Sequence, residues 1–170
     1  QFGLADKITF QEVQVYDLAR TPETYDLTWF MGVLYHLRYP LLGMDILSRK
    51  TKRMMLFQTL SMPGNADVEI PDNLSIDDRE KMMEPGWPKA AFIEKELEGD
   101  PTNWWAFNHA GMEAVLRSCG MKILHHPANE VYVTVPDPDN PASAETWNSS
   151  EYLSAIGENW ENEAIFKVKK

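Results

Sequence analysis

The side chains able to do chemistry in this chain fall in a few short runs. His36 and His109 are the histidines placed to act as general bases toward a hydroxyl. His36 directly follows an apolar run that reads as a strand, and His109 opens a helix. Polar residues also stand at predicted strand ends: Tyr16-Asp17, Met31 to Arg38, and Gln58 to Ser61. In open α/β sheets, ligands bind at the carboxyl ends of strands, so these are the positions to read first. Trp87, Trp104 and Trp105 lie beside turn-forming residues in "EPGWPK" and "DPTNWW". Aromatic residues on a lid suit a planar or sugar-like acceptor and exclude water from the reaction. Each also has a plainer role: the tryptophans as staples of a long loop, the histidines as ordinary polar groups. His125-His126 precede Pro127 and mark a strand end, and no Cys/His/Asp spacing suggests a metal site. Cys119, the one cysteine, lies on the apolar side of a helical pattern and reads as core.

The elements that would position these residues follow from periodicity. "KITFQEVQVYDL" (7–18) has β-branched residues and partial alternation, and reads as a strand. In "RTPET", Thr21 as N-cap and Pro22 at the first helical position predict one short turn. "YDLTWFMGVLY" (25–35) is largely apolar, as expected of a strand buried on both faces of a parallel sheet. Pro40 starts a helix through Ser48, and "RMMLFQTL" (53–60) is the next buried strand. Strand, helix and strand in so short a span make a βαβ unit. Residues 61–103 are rich in Pro and Gly and read as a lid-like insertion with two short helices, one starting at Ser75 and one over 89–98. "NHAGMEAVLRSC" is a helix capped by Asn108 and stopped by Gly120. "MKILHH" and "EVYVTV" read as a strand and its possible continuation, Asn148 to Gly157 as a short helix, and "EAIFKVKK" (163–170) as a final strand. The fold class is therefore α/β with a mostly parallel sheet, closed by a C-terminal antiparallel strand, in a single domain over 1–170.

"YDLTWFMGVLYHLRYPLL", read together with "FNHAGMEAVLRSCGM", resembles class I S-adenosylmethionine (SAM)-dependent methyltransferases. The nearest resemblance is to the branch typified by the tRNA wobble-uridine carboxymethyl (carboxy-SAM) transferases, which carry the same Met-Gly-Val-Leu-Tyr-His run before a basic residue and a proline. The resemblance implies a Rossmann-like sheet and SAM as cofactor. It implies that Tyr16 and Asp17 hold the adenine end and that Met31 and Tyr35 contact the methionine end. A strand-end carboxylate can accept the adenine amino hydrogens, and a phenol can reach a charged head group. Arg38, Trp87 and Trp104 become the candidate acceptor-binding residues. In the carboxy-SAM branch a basic residue before the last strand pairs with the extra carboxylate. Glu163 stands there, which favours ordinary SAM.

The resemblance also places the fold's first two strands, its glycine-rich turn and the acid holding the ribose before residue 1. The sequence has no Gly-x-Gly and opens on "QFGLADK", which reads as the end of a helix. On that reading the chain is the C-terminal two-thirds of a methyltransferase domain and binds SAM weakly by itself, with exposed sheet edges that favour self-association. The other readings are a non-catalytic binding or oligomerisation module and a tRNA-modifying alkyltransferase. A net charge of −10 argues against nucleic acid and anionic membranes, the "RKTKR" run (49–53) being a solvated helix end. One cysteine permits no internal disulfide, and with no apolar run long enough to span a bilayer and no signal segment, a reducing, cytoplasmic setting is expected.

Overall fold

A computed structural model describes residues 3–64, 68–140 and 149–159 of the chain. Strand β1 (Tyr25–Met31) leads through a 3₁₀ turn (Leu34–His36) into helix α1 (Pro40–Lys50), and the chain returns as β2 (Thr51–Gln58). Pro40 sits in the first turn of α1, where its missing N–H costs nothing. β1 and β2 are parallel. The insertion contains a 3₁₀ segment (Ile76–Met83), entered by Ser75, whose hydroxyl accepts from the Asp77 N–H at 3.3 Å. It then forms a hairpin of β3 (Ala90–Phe92) and β4 (Trp105–Phe107), which feeds helix α2 (His109–Ser118). β5 (Met121–Ala128) and β6 (Val131–Pro136) form a second hairpin, and α3 (Ser149–Ile156) follows. The main sheet has the order β1-β2-β6-β5. Its one parallel pair is joined by two antiparallel pairs, because β6 enters beside β2 and β5 pairs back onto it.

The α/β class holds, and several local expectations are corrected. Residues 8–14 form no strand: Ile8 and Phe10 are exposed, and the segment has no ladder to join because β1 pairs with β2 alone among the described strands. β-branched residues alone do not make a strand without a neighbour to take the backbone hydrogen bonds. The turn expected after Thr21 lies before it, as a 3₁₀ segment Val15–Arg20 that Thr21 closes by donating its N–H to the Leu18 carbonyl at 3.2 Å. The helix expected over 89–98 is instead the β3 arm of a hairpin. A tight turn between Leu97 and Asp100 tips it, with Glu98 at φ 54° and Gly99 at φ 74°. Those two left-handed residues fit a two-residue hairpin turn and not a helix. The continuation expected at 130–135 is the return arm of the β5–β6 hairpin. The final strand expected at 163–170 lies outside the described residues.

The core is one-sided. Phe30, Met55, Phe57 and Tyr132 point from the sheet toward Met44 and Leu47 of α1 and Met112 and Leu116 of α2. The alternate residues Leu27, Trp29 and Met54 are exposed, Trp29 at 68%. β1 is thus not buried on both faces as its apolar run suggested. Tyr152 of α3 lies outside α1, its ring 4.0 Å from the Arg49 guanidinium.

Candidate functional site

The parallel pair brings the carboxyl ends of β1 and β2 together, and the Gly32 N–H extends the ladder by donating to the Gln58 carbonyl at 3.2 Å. Gly32 has φ 73°, a left-handed turn that ends β1 and leads into the 3₁₀ turn carrying Tyr35 and His36. A Cβ at Gly32 would stand 3.9 Å from Gln58 Oε1 and 3.9 Å from the Tyr35 hydroxyl. Both polar atoms therefore face the same bare stretch of backbone. Glu130, in the turn before β6, supports this niche. Its carboxylate accepts from the Ser61 N–H at 2.7 Å and from Gln58 Nε2 at 3.3 Å.

On the helix-covered face of the same strand end, His109 Nδ1 lies 3.0 Å from the Tyr132 hydroxyl. The His126 ring stacks on Tyr132 at 4.7 Å and meets His109 edge-on at 5.0 Å. Burial first, then the charges of Glu113 and Glu130, push the Tyr132 pKa up to about 12. The phenol is therefore neutral at ordinary pH. It engages one ring nitrogen of His109, which is half-buried. Asn108 sets the start of α2: its Oδ1 accepts from the Gly111 N–H at 2.8 Å and the Lys89 N–H at 3.0 Å, while Nδ2 donates to the Trp87 carbonyl at 2.7 Å. Through its main-chain carbonyl, half-buried Trp87 is joined to the start of α2.

A third group of contacts clamps the β3–β4 hairpin onto the turn after β1. His36 Nδ1 lies 2.9 Å from Thr102 Oγ1 and 4.0 Å from Asp100 Oδ2. The Trp104 N–H donates to the Tyr35 carbonyl at 2.8 Å. The Arg38 guanidinium sits 4.8 Å from the Trp104 ring centre and 5.1 Å from that of Phe92. Hydrogen bonds from the Thr102 side chain and backbone, then the His36 charge, hold the Asp100 carboxyl below its usual range. Arg38 and Trp104 thus stand together, and His36 is tied to the same hairpin through Thr102.

The adenine-end candidates are less closely joined to the rest. The Tyr16 hydroxyl accepts from the Tyr39 N–H at 3.2 Å, at the entrance to α1, and Asp17 is ion-paired with Arg20. Both sit on the 3₁₀ segment and not at a strand end. Met31 ends β1, half-buried. Glu163 lies outside the described residues. Cys119 packs against the core, and burial first, then Asp45, push its thiol well above the usual range, which leaves it an inert core thiol. Among the described residues, no group of three or more His, Cys, Asp or Glu side chains could hold a metal. No described helix is long and apolar enough to cross a membrane. Gln58 was visible as a strand-end residue. Glu130 was not, because its place beside β2 depends on the β5–β6 hairpin folding back.

No protein-family model matches the chain. Over 48 residues it is 42% identical to an uncharacterized protein of Synechococcus sp., a match covering 28% of this chain and 12% of that protein. Similar solved structures include the N-terminal domain of EvdMO1 with S-adenosylhomocysteine (SAH) and D-fucose, at 20% identity and a TM-score of 0.40, covering 69% of this chain and 49% of that one. The same domain with SAH bound gives 19% identity, a TM-score of 0.40, and 74% and 49% coverage. Magnesium protoporphyrin IX methyltransferase of Synechocystis PCC 6803 with bound SAH gives 16%, 0.38, and 71% and 49%. The chain spans about half the length of these solved structures.

Proposed function

We propose that the chain is part of a SAM-dependent methyltransferase acting on a small-molecule acceptor. The observation that carries the reading is the Met31–His36 turn. The run that resembles the methyltransferase motif stands at the carboxyl end of a parallel strand pair, where the left-handed Gly32 leaves bare backbone beside the Tyr35 hydroxyl. The residues there fit the amino-acid end of SAM: Met31 and Tyr35 would hold it. The adenine end fits less well, because Asp17 is engaged by Arg20. When bound, SAM supplies an electrophilic methyl group. The chain's own residues then have a limited task, since methyl transfer is a direct displacement: align the acceptor, exclude water and, for a hydroxyl, take a proton. Arg38 and Trp104 would line the acceptor side. His109, held at Nδ1 by Tyr132, is the proposed base through its other nitrogen. Ordinary SAM is favoured over carboxy-SAM. The net charge of −10 disfavours tRNA as acceptor.

Calorimetric titration of SAH into the complete gene product tests this reading. A saturable isotherm with 1:1 stoichiometry is expected, weaker in the present chain alone. No heat of binding in the complete product overturns it. A second reading, a non-catalytic association module, draws on the exposed sheet face and on the β1 edge, which has no neighbour among the described strands. That reading predicts no SAH binding by the chain or by any longer product that contains it.

A further inference from the structure

The hydrogen bonds around His36 fix where its proton sits. Nδ1 faces three oxygens of the loop between β3 and β4: Thr102 Oγ1 at 2.9 Å, the Thr102 carbonyl at 3.3 Å and Asp100 Oδ2 at 4.0 Å. The carbonyl can only accept. Asp100 is held as a carboxylate, so it too only accepts. The Thr102 hydroxyl gives its one proton to Asp100 Oδ1 at 2.7 Å, and the Thr102 N–H donates to the same atom at 2.7 Å. The hydroxyl oxygen therefore meets His36 as an acceptor. Nδ1 must carry a hydrogen, and in the neutral imidazole Nε2 is then a bare lone pair. All polar contacts of the ring among the described residues are made through Nδ1, and the side chain is 33% exposed. The ring lies 4.2 Å from that of Tyr35, in the turn whose backbone the hairpin holds through the Trp104 N–H.

We propose that Asp100 and Thr102 are positioning residues that keep His36 in the Nδ1–H form, so that Nε2 receives a hydrogen bond from a hydroxyl of the bound acceptor. Naming this ligand the methyl acceptor rests on the methyltransferase reading. The role is recognition, separate from the proton removal assigned to His109. A lone pair at Nε2 attracts an O–H donor and gains nothing from an ether or carboxylate oxygen, which offers only lone pairs in return. The insertion thus sets which acceptors the turn after β1 can hold.

Long-range ¹H–¹⁵N NMR of the histidine rings of the ¹⁵N-labelled chain reads the tautomer directly, at about pH 8 where a free imidazole is neutral. His36→Gln assigns the signal. The expected parent form is Nδ1–H. Thr102→Val removes the hydroxyl, leaves only acceptors at Nδ1 and should keep that form. Asp100→Ala frees the Thr102 hydroxyl to donate to Nδ1 and should convert His36 largely to Nε2–H. A contact that merely packs the hairpin would move neither. Phenol is then compared with anisole, the same ring without the donor. Phenol should shift the Nε2 signal and anisole should not. Asp100→Ala should weaken phenol by about fivefold or more, the worth of one hydrogen bond. An Nε2–H parent, an unchanged tautomer in a folded Asp100→Ala variant, equal shifts from both probes or no shift from phenol overturns the proposal. If Asp100→Ala loses its dispersed spectrum, the parent tautomer and the probe pair decide by themselves. A complete gene product that binds no SAH while these results hold removes the methyltransferase reading and leaves the hydroxyl site standing. SAH binding beside an Nε2–H His36 does the reverse.

Discussion

Glu130 holds a left-handed backbone conformation, φ 68°, that costs a non-glycine residue about 1 kcal/mol. The offset is visible in its two carboxylate contacts, which tie the loop after β2 to the β5–β6 turn. Glu130→Gly relieves the backbone and deletes both bonds. Glu130→Ala deletes both bonds and keeps the strain, so it should be the less stable of the two, by about 1 kcal/mol in urea unfolding. The buried Tyr132 gives a pH prediction with a definite sign. Its pKa is raised in the folded state, so its contribution to stability is complete below about pH 10 and is lost as pH rises toward about 12. Ultraviolet titration of tyrosinate should show a late-ionising phenol that is absent in Tyr132→Phe. At this scale the sequence exposed His109, Tyr35 and Gln58 as chemistry at element ends. It concealed Glu130 and Tyr132, whose partners are separated from them by 72 and 23 positions.

At the scale of elements, one of the anchors of the insertion is a close backbone approach between Gly111 and Lys89. A Cβ on Gly111 would lie 2.6 Å from the Lys89 carbonyl oxygen and 2.9 Å from its nitrogen. Neither backbone atom can step aside cheaply. Gly111→Ala should therefore destabilise by about 1–3 kcal/mol in spite of the better helix propensity of alanine. Gly43 in α1 is the control. Its Cβ would crowd the Leu37 Cδ1 methyl at 2.6 Å, the end of a flexible side chain, and touch Val15 Cγ1 at an ordinary 3.9 Å, so Gly43→Ala should fall within about 1 kcal/mol of the parent. The Arg38 clamp makes a parallel prediction for the hairpin. Arg38→Ala should speed hydrogen exchange across β3 and β4 several-fold and leave α2 protected, since exposed cation–π contacts are worth about 0.5–1 kcal/mol each. What the sequence showed of the elements follows the same logic. Helices α1 and α2 were legible because their starts carry local signals, Pro40 and Asn108. Strand β2 was legible from its apolar run. The segments misread, 7–18 and 89–98, are those whose state depends on whether a partner strand stands beside them.

At the scale of the whole molecule, the unresolved asymmetry is the sheet's second face. α1 and α2 cover one side, while Leu27, Trp29 and Met54 lie open on the other, and the β1 edge has no described neighbour. A parallel pair is ordinarily covered on both faces, and a free apolar edge is a template for pairing with another chain. Most strand residues on this face that alternate with the core, from Leu27 and Trp29 through Met54 and Leu56 to Val133 and Val135, are uncharged, and the one carboxylate beside Leu27 and Met54, Asp26, shares their hollow with Arg53. The net charge of −10 is thus carried mainly elsewhere, so association should concentrate here and persist in high salt. The present chain should therefore show a mass above that of a monomer in light scattering at tens of micromolar. Trp29→Lys should shift it toward monomer and leave the far-ultraviolet circular dichroism unchanged, because Trp29 makes no part of the core. A monomeric parent chain, or a Trp29→Lys variant that associates as before, would place the self-association surface elsewhere or remove it.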